Sequence, residues 1–207
     1  MWYNSFIDDQ HKGVRQMYHV KTDKRSQTSA RLISEGLLEC MKKKDFTQIT
    51  ITDIQRASGV GRSTFYRLFD NVADVLAYMC DKQFEKIICD SKELPIITTD
   101  EFLLLNIKSW MESIDLIKAL YSSDRLDLLF RASRSSINKV RDIFVTEFGV
   151  SDDLNFSESE LDYGLAGLLC AMMGVLGVWA DRGRKETPEE LFRIIKLAFD
   201  RISNIAM

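Results

Sequence analysis

The four residues Ser58-Gly59-Val60-Gly61 constrain this chain more than any other stretch, because they separate two short amphipathic segments. Upstream, Ile51, Ile54 and Ala57 recur at helical spacing, so a helix is expected over about 51–57 with those side chains inward. Thr50 stands three residues before Asp53 and resembles a capping box, the acid being shorter than the usual Glu. Gly59 can take the left-handed conformation that ends such a helix, and Gly61 is a tolerable cap for the next one. Downstream, Val60, Phe65 and Phe69 are placed to lock onto Ile33, Leu37 and Ile54. Arg62, Ser63, Thr64, Tyr66 and Arg67 then project together on the other side. Two small helices crossing at a glycine turn make the helix-turn-helix arrangement.

The projecting set suits the edge of a nucleic-acid duplex. An arginine reaches guanine with two donors. Thr64, Tyr66 and the open amides of a helix's first turn can bind phosphate oxygens. Lys42, Lys43, Lys44 and Arg56 add positive charge nearby. The wider charge pattern agrees in sign: residues 21–70 hold ten Lys/Arg against six Asp/Glu, whereas 71–207 hold sixteen against twenty-three. A basic leading segment on an acidic remainder suggests a polyanion partner for the first part only. A solvated helical hairpin with an ordinary charged face is the other reading of the same residues.

The rest of the chain also reads as helix. At 207 residues, 45% apolar and with two prolines, it can bury a proper core. Ala30, Ile33, Leu37 and Met41 mark the inner face of a first helix, about 28–43. Asn71 and Asp74 form a cap pair opening a long helix, about 72–91. Further helices are expected from Thr99 or Asp100 to about 112, over 114–121 and over 125–148. Another is capped by Ser157 with Glu160. The last starts at Thr187-Pro188-Glu189-Glu190 and runs to about Asn204. The expected class is all-α, with about nine helices.

Gly164–Ala180 carries no charge over seventeen residues. A helix apolar all round is either deeply buried or in a membrane. The run is just short of a comfortable span, and Asp162 and Asp181 bracket it without basic anchors. Burial between two subunits fits better, and no membrane partner is expected. Gly164, Gly167 and Ala171 would let backbones approach, while Leu168, Met172, Val175 and Trp179 fill gaps. The final helix adds Leu191, Ile194, Ile195, Ala198 and Ile202. Two such helices from each copy would make a four-helix homodimer interface.

Several function classes find no support. Both histidines, His11 and His19, lie near the amino terminus, so no histidine metal site is expected further on. No glycine-rich phosphate loop, GxSxG elbow or metal-ligand pair appears, so neither an enzyme nor a cofactor is expected. Cys40, Cys80, Cys89 and Cys170 are scattered, as in a reducing cytosol. The first twenty residues lack a signal-peptide pattern. Met17 resembles a natural start, which leaves residues 1–16 as an arm or an upstream mis-start.

Residues 28–78, "TSARLISEGLLECMKKKDFTQITITDIQRASGVGRSTFYRLFDNVADVLAY", resemble the DNA-binding domain of TetR-family transcriptional regulators. The matching pieces are "FTQITITDIQRASGV", "STFYRLF" and "NVADVL". The resemblance implies an amino-terminal arm over 1–24, a helix-turn-helix domain over 25–70 and a helical effector-binding and dimerisation domain over 71–207. It implies that Thr50 caps the second helix and that Thr52 faces the DNA backbone. Arg62, Ser63 and Thr64 would enter the major groove, Tyr66 would bind phosphate, and Arg67 could approach either. Lys44 joins this DNA-binding set on charge. Two positions depart from the pattern: Gly61 stands where a serine cap is frequent, and Val72 where a phosphate-touching lysine is common. The implied partners are a near-palindromic operator, a second copy and a small-molecule effector, in a cytoplasmic, nucleoid-associated repressor. An activator or co-regulator working mainly through a protein partner is the alternative. Trp110, Tyr121, Phe130, Phe144, Tyr163 and Met173 are candidate effector contacts, with core packing the other reading of each.

Overall fold

The computed structural model describes residues 17–93, 98–148 and 157–205. These form α1 (Lys24–Met41), a 3-10 turn (Phe46–Gln48), α2 (Ile51–Ser58), α3 (Arg62–Leu68), α4 (Val72–Lys92), α5 (Thr99–Glu112), α6 (Ile114–Ser122), α7 (Leu126–Phe148), α8 (Glu158–Asp181) and α9 (Pro188–Ile205). No strand occurs among the described residues. One isolated antiparallel bridge pairs Tyr18 with Phe69.

Local chemistry explains most of the boundaries. Thr50 and Asp53 close a full capping box on α2, and Gly59 ends that helix at φ +70°. Asn71 Oδ1 accepts from Asp74 N at 3.1 Å, while the buried Asp74 carboxylate accepts from the amides of Asp70 and Asn71. Ser157 with Glu160 boxes the start of α8. Thr187 with Glu190 does the same for α9, which opens on Pro188. One start differs from expectation. α1 begins at Lys24 rather than Thr28, because the Asp23 carboxylate accepts the Ser26 amide at 2.9 Å and caps an extra turn. α5 starts at Thr99, within the expected bounds, and is boxed by Thr98 with Glu101. Ala57, expected inside, is exposed.

The chain divides into two compact units, residues 1–80 with 119–135, and residues 81–118 with 136–207. α4, α6 and α7 each contribute residues to both. In the first unit α1 packs on α2 and α3. Ala30, Ile33, Leu37, Ile54, Phe65, Leu68 and Phe69 are buried there. Gly36 sits at the α1–α2 crossing. A Cβ at that position would lie 2.9 Å from Ser58 Cβ and 3.0 Å from Ser58 N, too close for any side chain without movement. The unit runs past residue 70 because Tyr78 belongs to its aromatic cluster. Tyr78 meets Tyr18 at 5.2 Å and Phe69 at 5.7 Å, both edge-on.

In the second unit α5 packs against α8 and α9. Phe84 meets Trp110 edge-on at 5.5 Å. Beside them Gln83 donates to the Ser109 carbonyl and hydroxyl, and Ser113 Oγ donates back to Gln83 Oε1 at 2.7 Å. This satisfied polar knot holds α4 to α5, since a buried amide costs little only when its hydrogen bonds are made.

Candidate nucleic-acid interface

α3 has one face inside and one outside. Phe65 and Leu68 are buried, while Arg62, Ser63 and Arg67 are exposed, Thr64 is half-buried and Tyr66 keeps 44% of its surface. Gly61 precedes the helix without a side-chain cap, which leaves first-turn amides open at the exposed tip. The Arg62 guanidinium carbon lies 5.6 Å from the Tyr66 ring centroid, and Arg62 Nη2 lies 3.5 Å from Tyr66 Oη. The pair therefore stands ready-stacked on the surface. These side chains are brought together as the residue pattern implied.

The residues around α2 divide differently. Thr52 is exposed at the start of the helix. Thr50 is occupied, because its hydroxyl donates to Asp53 Oδ2 at 2.7 Å and accepts the Asp53 amide at 3.2 Å. Lys44 Nζ reaches Asp53 Oδ1 at 2.8 Å. That ammonium, with the Thr50 amide and hydroxyl, holds the Asp53 carboxyl far below its ordinary 3.8. Lys44 thus completes a helix cap, a role that its charge alone did not reveal. Lys42 and Lys43 pair with Glu39 at 3.3 and 3.0 Å. Arg56, Arg62 and Arg67 add exposed positive charge beside these paired lysines.

Two solved structures share this architecture. A Listeria innocua protein, Lin0861, aligns over 90% of this chain and 99% of its own, with a TM-score of 0.70 at 16% identity. A TetR transcriptional regulator from Streptococcus agalactiae aligns over 92% of this chain and 96% of its own, with a TM-score of 0.54 at 20% identity. The chain has a TetR-like fold. Among curated proteins, the HTH-type dhaKLM operon transcriptional activator DhaS of Lactococcus lactis is 26% identical over 70 residues. That match spans 34% of this chain and 37% of DhaS. No protein-family model matches the chain.

The second unit of this TetR-like chain distributes the other candidate residues over three environments. Met172, Trp179 and Leu191 are buried inside the unit, and the Trp179 indole donates to the Glu186 carbonyl at 3.0 Å. Leu168, Ala171, Val175 and Ile195, with Met172 again, line a cavity of about 280 Å³ bounded by α5, α8 and α9. Gly164, Gly167, Ile194 and Ala198 face outward. The side chain of Ile202 lies outside the described residues. Tyr163, Ala166, Cys170, Gly174 and Val178 of α8 face outward as well, and of these sequence reasoning picked out only Gly174 for the pairing face, as one of its small residues. Their spacing of three and four was visible, but a helix apolar on every side has no polar face to show which stripe points out.

Of the six candidate effector residues, the five whose side chains are described do not line that cavity. Trp110 and Met173 are core residues at 1% and 3% exposure, whereas Tyr163 is 79% exposed. Tyr121 and Phe130 belong to the first unit. The Phe144 side chain lies outside the described residues. The cavity is instead walled by aliphatic residues and by Phe192 and Phe199 of α9, which bulk aromatic content did not single out.

Proposed function

We propose that this protein is a sequence-specific DNA-binding transcription regulator. The observation that carries the reading is the α3 tip, where Arg62, Ser63, Tyr66 and Arg67 stand exposed beside the half-buried Thr64 on a helix locked from behind by Phe65 and Leu68. Arg62 and Arg67 read base edges, the first-turn amides and Tyr66 bind phosphate, and Thr52 adds a backbone contact. Two copies pair through the outward faces of α8 and α9 and present two tips to a near-palindromic operator. The span Asp162–Asp181 supports that pairing: it is long and apolar enough to cross a membrane, yet only 22% of it is buried in the single chain. Its flanking acids, and the ion pair of Asp162 with Arg141, suit a protein cover rather than a bilayer. The protein works as a cytoplasmic, nucleoid-associated repressor that a small molecule releases.

The test is binding to the DNA upstream of the protein's own gene at two salt concentrations. A specific complex that weakens steeply with salt is expected. Arg62→Ala should cost about 1–3 kcal/mol and relax preference at one base pair. Salt-independent or sequence-blind association would overturn the reading.

A second reading is favoured by two observations. DhaS, the sequence relative, is named an activator. Backbone contacts are also fewer here, with Gly61 uncapped, Val72 in place of a lysine and Lys44 turned to Asp53. In that reading the protein activates transcription, with a protein partner supplying part of the DNA affinity. Weak nonspecific association of the purified protein, converted to a specific complex by a co-purifying protein, distinguishes it from the repressor.

A further inference from the structure

The cavity between α5, α8 and α9 has a chemistry of its own. Its walls are apolar along nearly their whole length, with Leu103 and Ile107 from α5, Ala171 and Val175 from α8, and Phe192 from α9. Among the described residues, every polar side chain in the lining is charged and exposed: Asp100, Lys196 and Asp200. Lys196 is ion-paired with Asp100, and its ammonium lies 5.8 Å from the Phe192 ring centroid. The described lining thus carries two carboxylates and one ammonium, a net −1, with Asp100 paired and Asp200 the further acid. Asp200 stands one helical turn beyond Lys196 on α9, towards the negative end of that helix. The half-exposed Phe199 also lines the cavity, as does Phe192.

We propose that this cavity binds a small organic monocation with an apolar tail. The tail lies among Leu103, Ile107, Ala171 and Val175. The cationic head sits at Asp200 and against the Phe199 ring, away from the Phe192 ring that the Lys196 ammonium already covers, since an aromatic face attracts a poorly hydrated ammonium. A carboxylate ligand is disfavoured, since it would have to displace Asp100 from Lys196 and leave two acids unpaired beside it. A volume of about 280 Å³ lies just under the ~300 Å³ at which drug-sized pockets begin, so the ligand is small. The ligand class rests on the proposal of an effector-released regulator only for its consequence at DNA; binding itself is independent of it.

The experiment uses the full chain and three eight-carbon probes: octyltrimethylammonium, octanoate and octanol, followed by titration calorimetry. Saturable binding of the ammonium at least ten times tighter than octanoate is expected. Asp200→Asn should remove that preference while retaining octanol affinity. Ala171→Phe should fill the cavity and abolish binding of all three, and Val175→Phe repeats the block should the first variant fold poorly. Tighter octanoate binding would overturn the charge assignment. Absence of saturable binding by any probe, or binding untouched by both cavity-filling variants when folded, would overturn the site. A parallel titration of operator DNA separates the two proposals. Ammonium binding that leaves DNA affinity unchanged keeps the site and removes the effector role; DNA binding that fails without any probe present speaks against the regulator alone.

Discussion

Gly36 and Gly174 are both helical glycines, and they occupy opposite situations. At Gly36 a Cβ would strike the Ser58 backbone, whereas at Gly174 it would meet nothing within 4 Å. The first glycine serves a contact already made within the chain, and the second lies on an apolar helix face that the chain leaves uncovered. The comparison extends to the surroundings. Helices α1 to α3 and the cap residue Phe69 bury the centre of their apolar stripes, with Ile33, Leu37, Ile54, Phe65 and Phe69 at 0% exposure. α8 leaves Tyr163 and Val178 at 79% and 59% exposure, and α9 leaves Ile194 and Leu197 near half. A segment that finishes its own core can present polar groups outward; a segment that does not finish it leaves an apolar face for a partner, which in the proposed pairing is a second copy.

The strongest way to break this contrast is to charge the uncovered face. Gly174→Glu or Val178→Glu should yield folded monomers in sedimentation equilibrium, with unchanged helical circular dichroism. Loss of the paired reading tips should lower operator affinity about 10²–10⁴-fold. A variant that stays dimeric would show that the copies pair elsewhere. Cys170, exposed on the same face, offers an independent check, since a short bis-maleimide should cross-link two copies through it.

In the reading unit the largest expected loss is internal. Phe65→Ala should destabilise that unit by about 3–5 kcal/mol, seen as an earlier urea transition. Gly36→Ala sharpens the comparison directly. It should cost about 1–3 kcal/mol through overpacking against Ser58. Gly174→Ala should instead raise monomer stability, by about 0.5–1 kcal/mol, since the new Cβ meets nothing and the helix gains propensity, and equal effects at the two glycines would contradict this packing.

Smaller effects concern the α2 cap. Thr50→Ala should cost roughly 1 kcal/mol, read as a lower thermal midpoint. Asp53 adds a pH dependence of definite sign. Its folded carboxyl titrates below the ordinary 3.8, chiefly through the Lys44 ammonium and then the Thr50 groups. The stabilisation is therefore complete above about pH 4 and is lost as pH falls through the lower folded value. Asp53→Asn should flatten the acid limb of the stability curve and leave its neutral limb parallel to that of the wild type. Lys44→Met should act in the same direction, which separates its capping role from one at phosphate.

Much of this molecule was legible residue by residue. The capping boxes at Thr50, Ser157 and Thr187, the left-handed Gly59 and the outward set on α3 follow from hydrogen bonds and dihedral preferences that act within a few positions. The TetR-like resemblance rests on those same local features. Helix periodicity likewise placed α4 to α7 and α9 to within a residue or two. Where the reading fell short, the deciding partner was distant. Asp23 as the cap of α1 was overlooked, although its signal was local, but Lys44 met Asp53 only because a turn brings them together.

What the sequence alone determined, then, is the run of helices, their caps and the polar tip between Gly61 and Phe69. Tertiary structure decided which side of α8 points outward, that Trp110 and Met173 are core, and that the cavity opens beside Phe192 and Phe199. The physical reason is range. Caps and turns are settled by neighbours a few residues away, whereas a helix apolar on every side carries no internal direction and takes its orientation from what packs against it.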